Sequence, residues 1–186
     1  MTAQLAVAIA ILTVAPVRLA NLNMIRLGTN LIKPGGSASQ YWLVFPDHDV
    51  KNRVKLEHRL PDHVTQLIDE YVREFWPALL RGRNDDFLFS GKSRGSKNRL
   101  IFSRQITERI AKATGLRITV HQFRHAAGAL ILRARPGEYQ LVRQLLGHRS
   151  IQTTMNAYVG LDSIQASEIY GNIVVGRLNE TLGAAQ

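Results

Sequence analysis

The sequence predicts a mainly helical α+β domain with a small antiparallel sheet near its front. Apolar residues recur at helical spacing through most of the second half. The aromatic and β-branched run YWLVF, residues 41–45, has strand character, and an alternating segment, VKLEHRL, returns after a polar turn. A chain of 186 residues with 45% hydrophobic and 20% charged side chains has the composition of a folded domain rather than of disorder. That length suits one domain, or one domain with a small appendage.

Taken in order, residues 3–15 read as a buried helix stopped by Pro16. This apolar stretch is too short to span a bilayer, and it lacks the basic start of a signal peptide. Leu19, Leu22 and Met24/Ile25 place a second helix over 18–27, opened by Arg18. The break PGGSAS at 34–39 leads into the strand at 41–45. DHDVKNR then forms the turn of a hairpin, with Lys51 near the tip. Pro61 sits at a helix start with Asp62 in the first turn, and that helix runs to residue 80. Residues 81–99 read as a basic loop centred on GKSRGSKNR. Helices follow at about 103–114, ending at Gly115, and at about 121–133, 138–146, 150–158 and 164–180. Gly147 occupies a C-cap position and Ser150 an N-cap position.

The formal net charge is +10. That surplus fits a polyanionic partner, although a merely soluble basic protein fits as well. With no cysteine there is no disulfide, thiolate metal site or cysteine nucleophile, and a reducing compartment is suitable. The sequence shows no internal repeat and no low-complexity tract.

The chemistry concentrates in three blocks. In His121-Gln-Phe-Arg124-His125, His121 and Arg124 share a helix face. Leu145-Leu146-Gly147-His148-Arg149-Ser150 follows, and then Thr153-Thr154-Met-Asn-Ala-Tyr158. In this order and spacing they resemble the signature of the tyrosine recombinases, the phage-integrase family. Upstream, Arg18 in Ala-Pro-Val-Arg-Leu-Ala-Asn-Leu resembles the family's first arginine, and Lys51 its hairpin lysine, with Lys55 as the alternative. The sequence departs from the family in two places. Asn21 stands where an acidic residue is frequent, and the interval from His148 to Tyr158 is one residue longer than the commonest form.

The resemblance implies the DNA breaking-rejoining enzyme fold and a site made of Arg18, Lys51, His121, Arg124, His148 and Tyr158. Each suits its implied role. Arginine forks match the nonbridging oxygens of a phosphodiester, so Arg18 and Arg124 would neutralise the charge that develops there without a metal. Tyr158 would attack in line and become 3′-phosphotyrosyl. Lys51 would protonate the leaving 5′ oxygen, and His121 and His148 would bind phosphate or take the tyrosine proton. Neither ATP, metal nor other cofactor is implied. His121 and His125 have a spacing that metal ligands use, but no Glu or Cys accompanies them, so zinc is not expected. His125 is expected to be structural, packing or capping.

The implied partner is double-stranded DNA, with Lys92, Arg94, Lys97 and Arg99 of the basic loop touching phosphates. The protein is expected to be a monomer alone and a homo-oligomer, a tetramer, on DNA, away from membranes, in a bacterial or phage-derived cytoplasmic setting. The family's N-terminal DNA-clamping domain is expected to be absent from residues 1–186. Residues 164–186 are expected to dock through Ile164, Ala166, Ile169 and Ile173/Val174, either on a neighbouring protomer or on their own domain. Two further readings are a type IB topoisomerase and a DNA-binding module without catalysis. Multimers on DNA would separate the recombinase from the topoisomerase, and a covalent adduct would exclude the bare binding module.

Overall fold

A computed structural model describes residues 2–183, the side chains of 159–166 and 177–183 excepted. The first helix, α1 (Thr2–Val14), is buried along Val7, Ala8, Ile11 and Leu12. After Pro16 comes a short α2 (Leu19–Asn23). It ends earlier than its apolar spacing suggests because the next residues enter extended pairing. The carbonyl of Ile25 accepts from Leu88 N at 2.8 Å, and Arg26 bridges Phe87. Periodicity within 18–27 carries no trace of those distant partners.

Three antiparallel strands follow, β1 (Leu31–Ile32), β2 (Trp42–Phe45) and β3 (Leu56–Arg59), in that spatial order. The β2–β3 hairpin is the one expected, and β1 is an added edge strand, with Leu31 opposite Leu43. Leu43 faces His58 and Phe45 faces Leu56, so alternate residues point into the core.

The helix expected to reach residue 80 is broken into α3 (Asp62–Glu70), a π-helical turn (Tyr71–Phe75) and α4 (Trp76–Leu80). Pro77 has no N–H to give the preceding turn, and a wider turn relieves the clash of its ring. Residues 81–99 are only partly the loop they resemble. Leu88 and Phe89 are fully buried, fixed by Tyr71 Oη on the Leu88 carbonyl at 2.8 Å and Trp76 Nε1 on the Phe87 carbonyl at 3.0 Å.

The helix α5 (Arg99–Thr114) starts four residues before its expected position because the Asn98 side chain caps Leu100 N and Ile101 N, both at 3.1 Å. A capping box between Thr119 and Gln122 opens α6 (Val120–Ala134). The next helix, α7 (Tyr139–Leu146), ends at Gly147, whose φ of 59° is left-handed. Ser150 Oγ accepts from Gln152 N at 3.2 Å and opens α8 (Ile151–Gly183). Residues 150–158 and 164–180, expected as two helices, form one, since Gly160 alone does not stop a helix whose backbone bonds continue.

The main core joins α1, the sheet, α3 and α5, and a smaller cluster of Leu132, Val142, Leu146 and Tyr158 lies among α6, α7 and α8. Among the described residues, no helix is long and apolar enough to cross a membrane.

Candidate active site

Arg124 joins the two ends of the fold. Its side chain is buried, with Nη1 donating to the Pro16 carbonyl at 2.6 Å and Nη2 to the Leu146 carbonyl at 2.7 Å. The carbonyls satisfy its hydrogen bonds but leave its positive charge unneutralised. Burial, and then Arg18, push its pKa down to about 10, with Tyr158 opposing, so it remains a cation at neutral pH.

Arg18 precedes α2 with extended backbone angles, φ −68° and ψ 152°. Its Nη1 is buried without a hydrogen-bond partner, and burial lowers its pKa. Asn21, the departure noted in the sequence, donates to the Asp49 carbonyl at 3.1 Å. It therefore ties α2 to the hairpin turn. Lys51 is exposed in that turn between buried Val50 and Asn52, whose Nδ2 donates to the Gly147 carbonyl at 2.9 Å.

Arg18, Lys51, Arg99, Ser103, His121 and Arg124 line one cavity of about 430 Å³. Among the described residues, no carboxylate lines it. Lys55 is absent from the lining and pairs with Glu57 at 2.7 Å, which favours Lys51 of the two hairpin lysines.

At two histidines of this site, His148 and His121, the charged form is disfavoured. Burial pushes the pKa of His148 down to about 4, aided by Arg124, Arg18 and His125. Its Nδ1 lies 2.9 Å from Oγ1 of buried Thr154, which leaves Nε2 free. The pKa of His121 is lowered by partial burial, then by His125, Arg124 and Arg18.

Tyr158 stands apart from the cavity lining. Its hydroxyl donates to the Arg124 main-chain carbonyl at 3.3 Å, and its ring packs in the small cluster with Leu132, Val142 and Leu146. Gly128 makes this seat possible, because a Cβ there would lie 2.2 Å from the hydroxyl oxygen. Burial raises the Tyr158 pKa, and Arg124 pulls the other way.

Residues 8–163 match the sequence profile of the phage integrase family. The chain belongs to the phage integrase family. It is 33% identical over 111 residues to the tyrosine recombinase XerC of Agrobacterium fabrum (strain C58 / ATCC 33970), a match covering 59% of this chain and 33% of that protein. The fold resembles XerH site-specific recombinase bound to difH substrate in a pre-cleavage complex. There the TM-score is 0.66 at 23% identity, over 83% of this chain and 42% of that one. XerA recombinase gives a TM-score of 0.65 at 20% identity, over 91% of this chain and 56% of that one. The chain thus spans about a third of the curated relative and about half of these structures.

Within this integrase-family fold the motif residues separate into groups. Arg18, Lys51, His121 and Arg124 meet at the cavity, His148 feels both arginines, and Tyr158 is seated behind Arg124. Of the basic-loop residues, Lys92 and Arg94 are exposed and Arg99 reaches the cavity. Lys97 turns inward, with Nζ on Gln4 Oε1 at 2.7 Å and over the Phe102 ring at 5.4 Å. Neither Ser103 nor Gly128 carried a signal in the sequence: Gly171 and Gly176 are also glycines inside a helix, yet they approach nothing closely. His125 is exposed, yet its ring meets that of His121 edge to face, and the two are hydrogen-bonded. Ile169, Ile173 and Val174 of α8 are exposed, while the side chains of Ile164 and Ala166 lie outside the described residues.

Proposed function

We propose that this chain is the catalytic domain of a tyrosine recombinase that cuts and rejoins double-stranded DNA through Tyr158. The observation that carries the reading is the cavity without carboxylates where Arg18, Lys51, His121 and Arg124 converge, one buried arginine nitrogen still lacking an acceptor. An anion with several oxygens supplies acceptors and charge together. A DNA phosphate does so, and the +10 net charge draws it in.

The steps balance without a cofactor. The Tyr158 oxygen attacks phosphorus and forms the phosphotyrosyl bond while the bond to the 5′ oxygen breaks. Lys51 protonates that oxygen, and the tyrosine proton passes to the free nitrogen of His148, with His121 left to bind phosphate. Arg18 and Arg124 bind the nonbridging oxygens as charge develops on them. Rejoining reverses each step. Tyr158 must first leave the Arg124 carbonyl and swing toward the cavity.

Lys92, Arg94 and Arg99 are assigned to flanking phosphates, whereas the inward contacts of Lys97 argue against that role for it. The exposed Ile169, Ile173 and Val174 support docking of α8 on a neighbouring protomer, in an oligomer, a tetramer, assembled on DNA in the cytoplasm. The deciding experiment incubates the protein with nicked duplex DNA and runs a denaturing gel. Wild type should give a protein band shifted by bound DNA, resistant to EDTA, and Tyr158→Phe should give none while still binding DNA. An undiminished adduct in the Phe variant would move the nucleophile elsewhere, with Tyr170 next to be tested.

A further inference from the structure

His125 has no task in the reaction above, yet it makes a directed contact. Its Nε2 lies 3.0 Å from Nε2 of His121, one turn earlier on α6. The two rings meet edge to face with centroids 4.6 Å apart, and the His125 ring stands 6.2 Å from that of Tyr158.

Two imidazole nitrogens at hydrogen-bond distance share one hydrogen, so one donates and the other accepts. The surroundings fix how many protons His121 carries. Arg124 and His125 from α6 and Arg18 from the start of α2 all disfavour its charged form. Lys51 of the hairpin and Arg99 of α5 line the same cavity, with His148 beyond Arg124, and none of the lining residues is acidic. The charged form of His121 is thus disfavoured, and the neutral ring owns a single N–H. With Nε2 engaged, Nδ1 is its only ring nitrogen left to meet a ligand. Were His121 the donor to His125, that nitrogen would present a lone pair to an anion. The reverse arrangement presents a hydrogen.

We infer that His125 is a positioning residue: it donates its Nε2–H to Nε2 of His121 and so keeps the His121 proton on Nδ1, ready for a phosphate oxygen. The inference rests on the anion-binding reading of the cavity, but its test does not require DNA cleavage.

The test is a two-bond nitrogen–proton correlation spectrum of the imidazoles. It is recorded on the 186-residue chain with saturating inorganic phosphate at neutral pH. Wild type should show His121 protonated on Nδ1 and His125 protonated on Nε2. In His125→Ala the donor is gone, and His121 should shift to the Nε2–H form that a free neutral histidine prefers. His125→Gln returns an N–H donor at similar reach and should restore the Nδ1–H pattern. DNA cleavage should fall in the Ala variant and recover in the Gln variant. An Nε2-protonated His121 in wild type, an unchanged tautomer in His125→Ala, or no restoration in His125→Gln would each overturn the inference. The spectra give this answer even for a protein that fails to cut DNA, so the two readings fail separately.

Discussion

Arg124 and Tyr158 are buried to nearly the same degree, 4% and 5% exposed, and in opposite ways. Arg124 is held by short charge-assisted bonds to two carbonyls from distant parts of the chain, and its unneutralised charge contributes to the cavity. Tyr158 has one long bond, 3.3 Å, and otherwise rests in apolar packing away from the cavity lining. The electrostatic half of the site is thus assembled before any substrate arrives, as preorganisation requires. The proposed nucleophile is held back, its proton kept on by burial.

Lys51 offers the sharpest test of the assembled half. Lys51→Ala should slow cleavage by roughly 10²–10⁴-fold, the usual range for a general acid. A substrate with sulfur at the bridging 5′ position needs no such proton and should restore the rate. It should not restore Arg124→Ala to the same extent, because that residue is proposed to serve the nonbridging oxygens. Rescue of Lys55→Ala in place of Lys51→Ala would mean that the wrong hairpin lysine has been chosen.

Gly128→Ala tests the held-back half. The added methyl takes the space of the Tyr158 hydroxyl, so the seat should fail. We expect a loss of about 1–3 kcal/mol in urea unfolding, the usual cost of overpacking. The yield of covalent adduct per folded molecule should rise, because the nucleophile is no longer parked. A fall in adduct at unchanged folding would show that the seat aligns Tyr158 for attack.

The smallest effect concerns the charge that both halves share. Burial, and then Arg124, hold buried His58 down at about 4, below its ordinary 6.5. The unfolded chain therefore takes up this proton first as pH falls, and stability is lost between about 6.5 and 4. His58→Leu should flatten that part of the profile of urea midpoint against pH. Parallel profiles for wild type and variant would contradict the account.

Much of the fold was legible where the signal is local. Gly147 and Ser150 mark real helix ends, and the aromatic run at 41–45 is a strand. The misreadings share a cause. The early end of α2, the burial of Leu88 and Phe89 and the edge strand at 31–32 are all set by partners far along the chain. The site divides in the same way. The motifs name Arg18, Arg124 and Tyr158, but no spacing rule shows that Tyr158 sits behind Arg124, that Lys97 turns inward or that Arg99 faces the cavity.

The guanidinium of Arg124 bridges carbonyls 108 residues behind it and 22 residues ahead. A chain emerging from the ribosome holds Arg18 and the Lys51 hairpin long before Leu146 is made. Until then Arg124 has only one of its two anchors, and the cavity lacks its fixed floor. The finished cavity, and with it the proposed competence to cut DNA, therefore waits on Leu146 and so arrives late in synthesis.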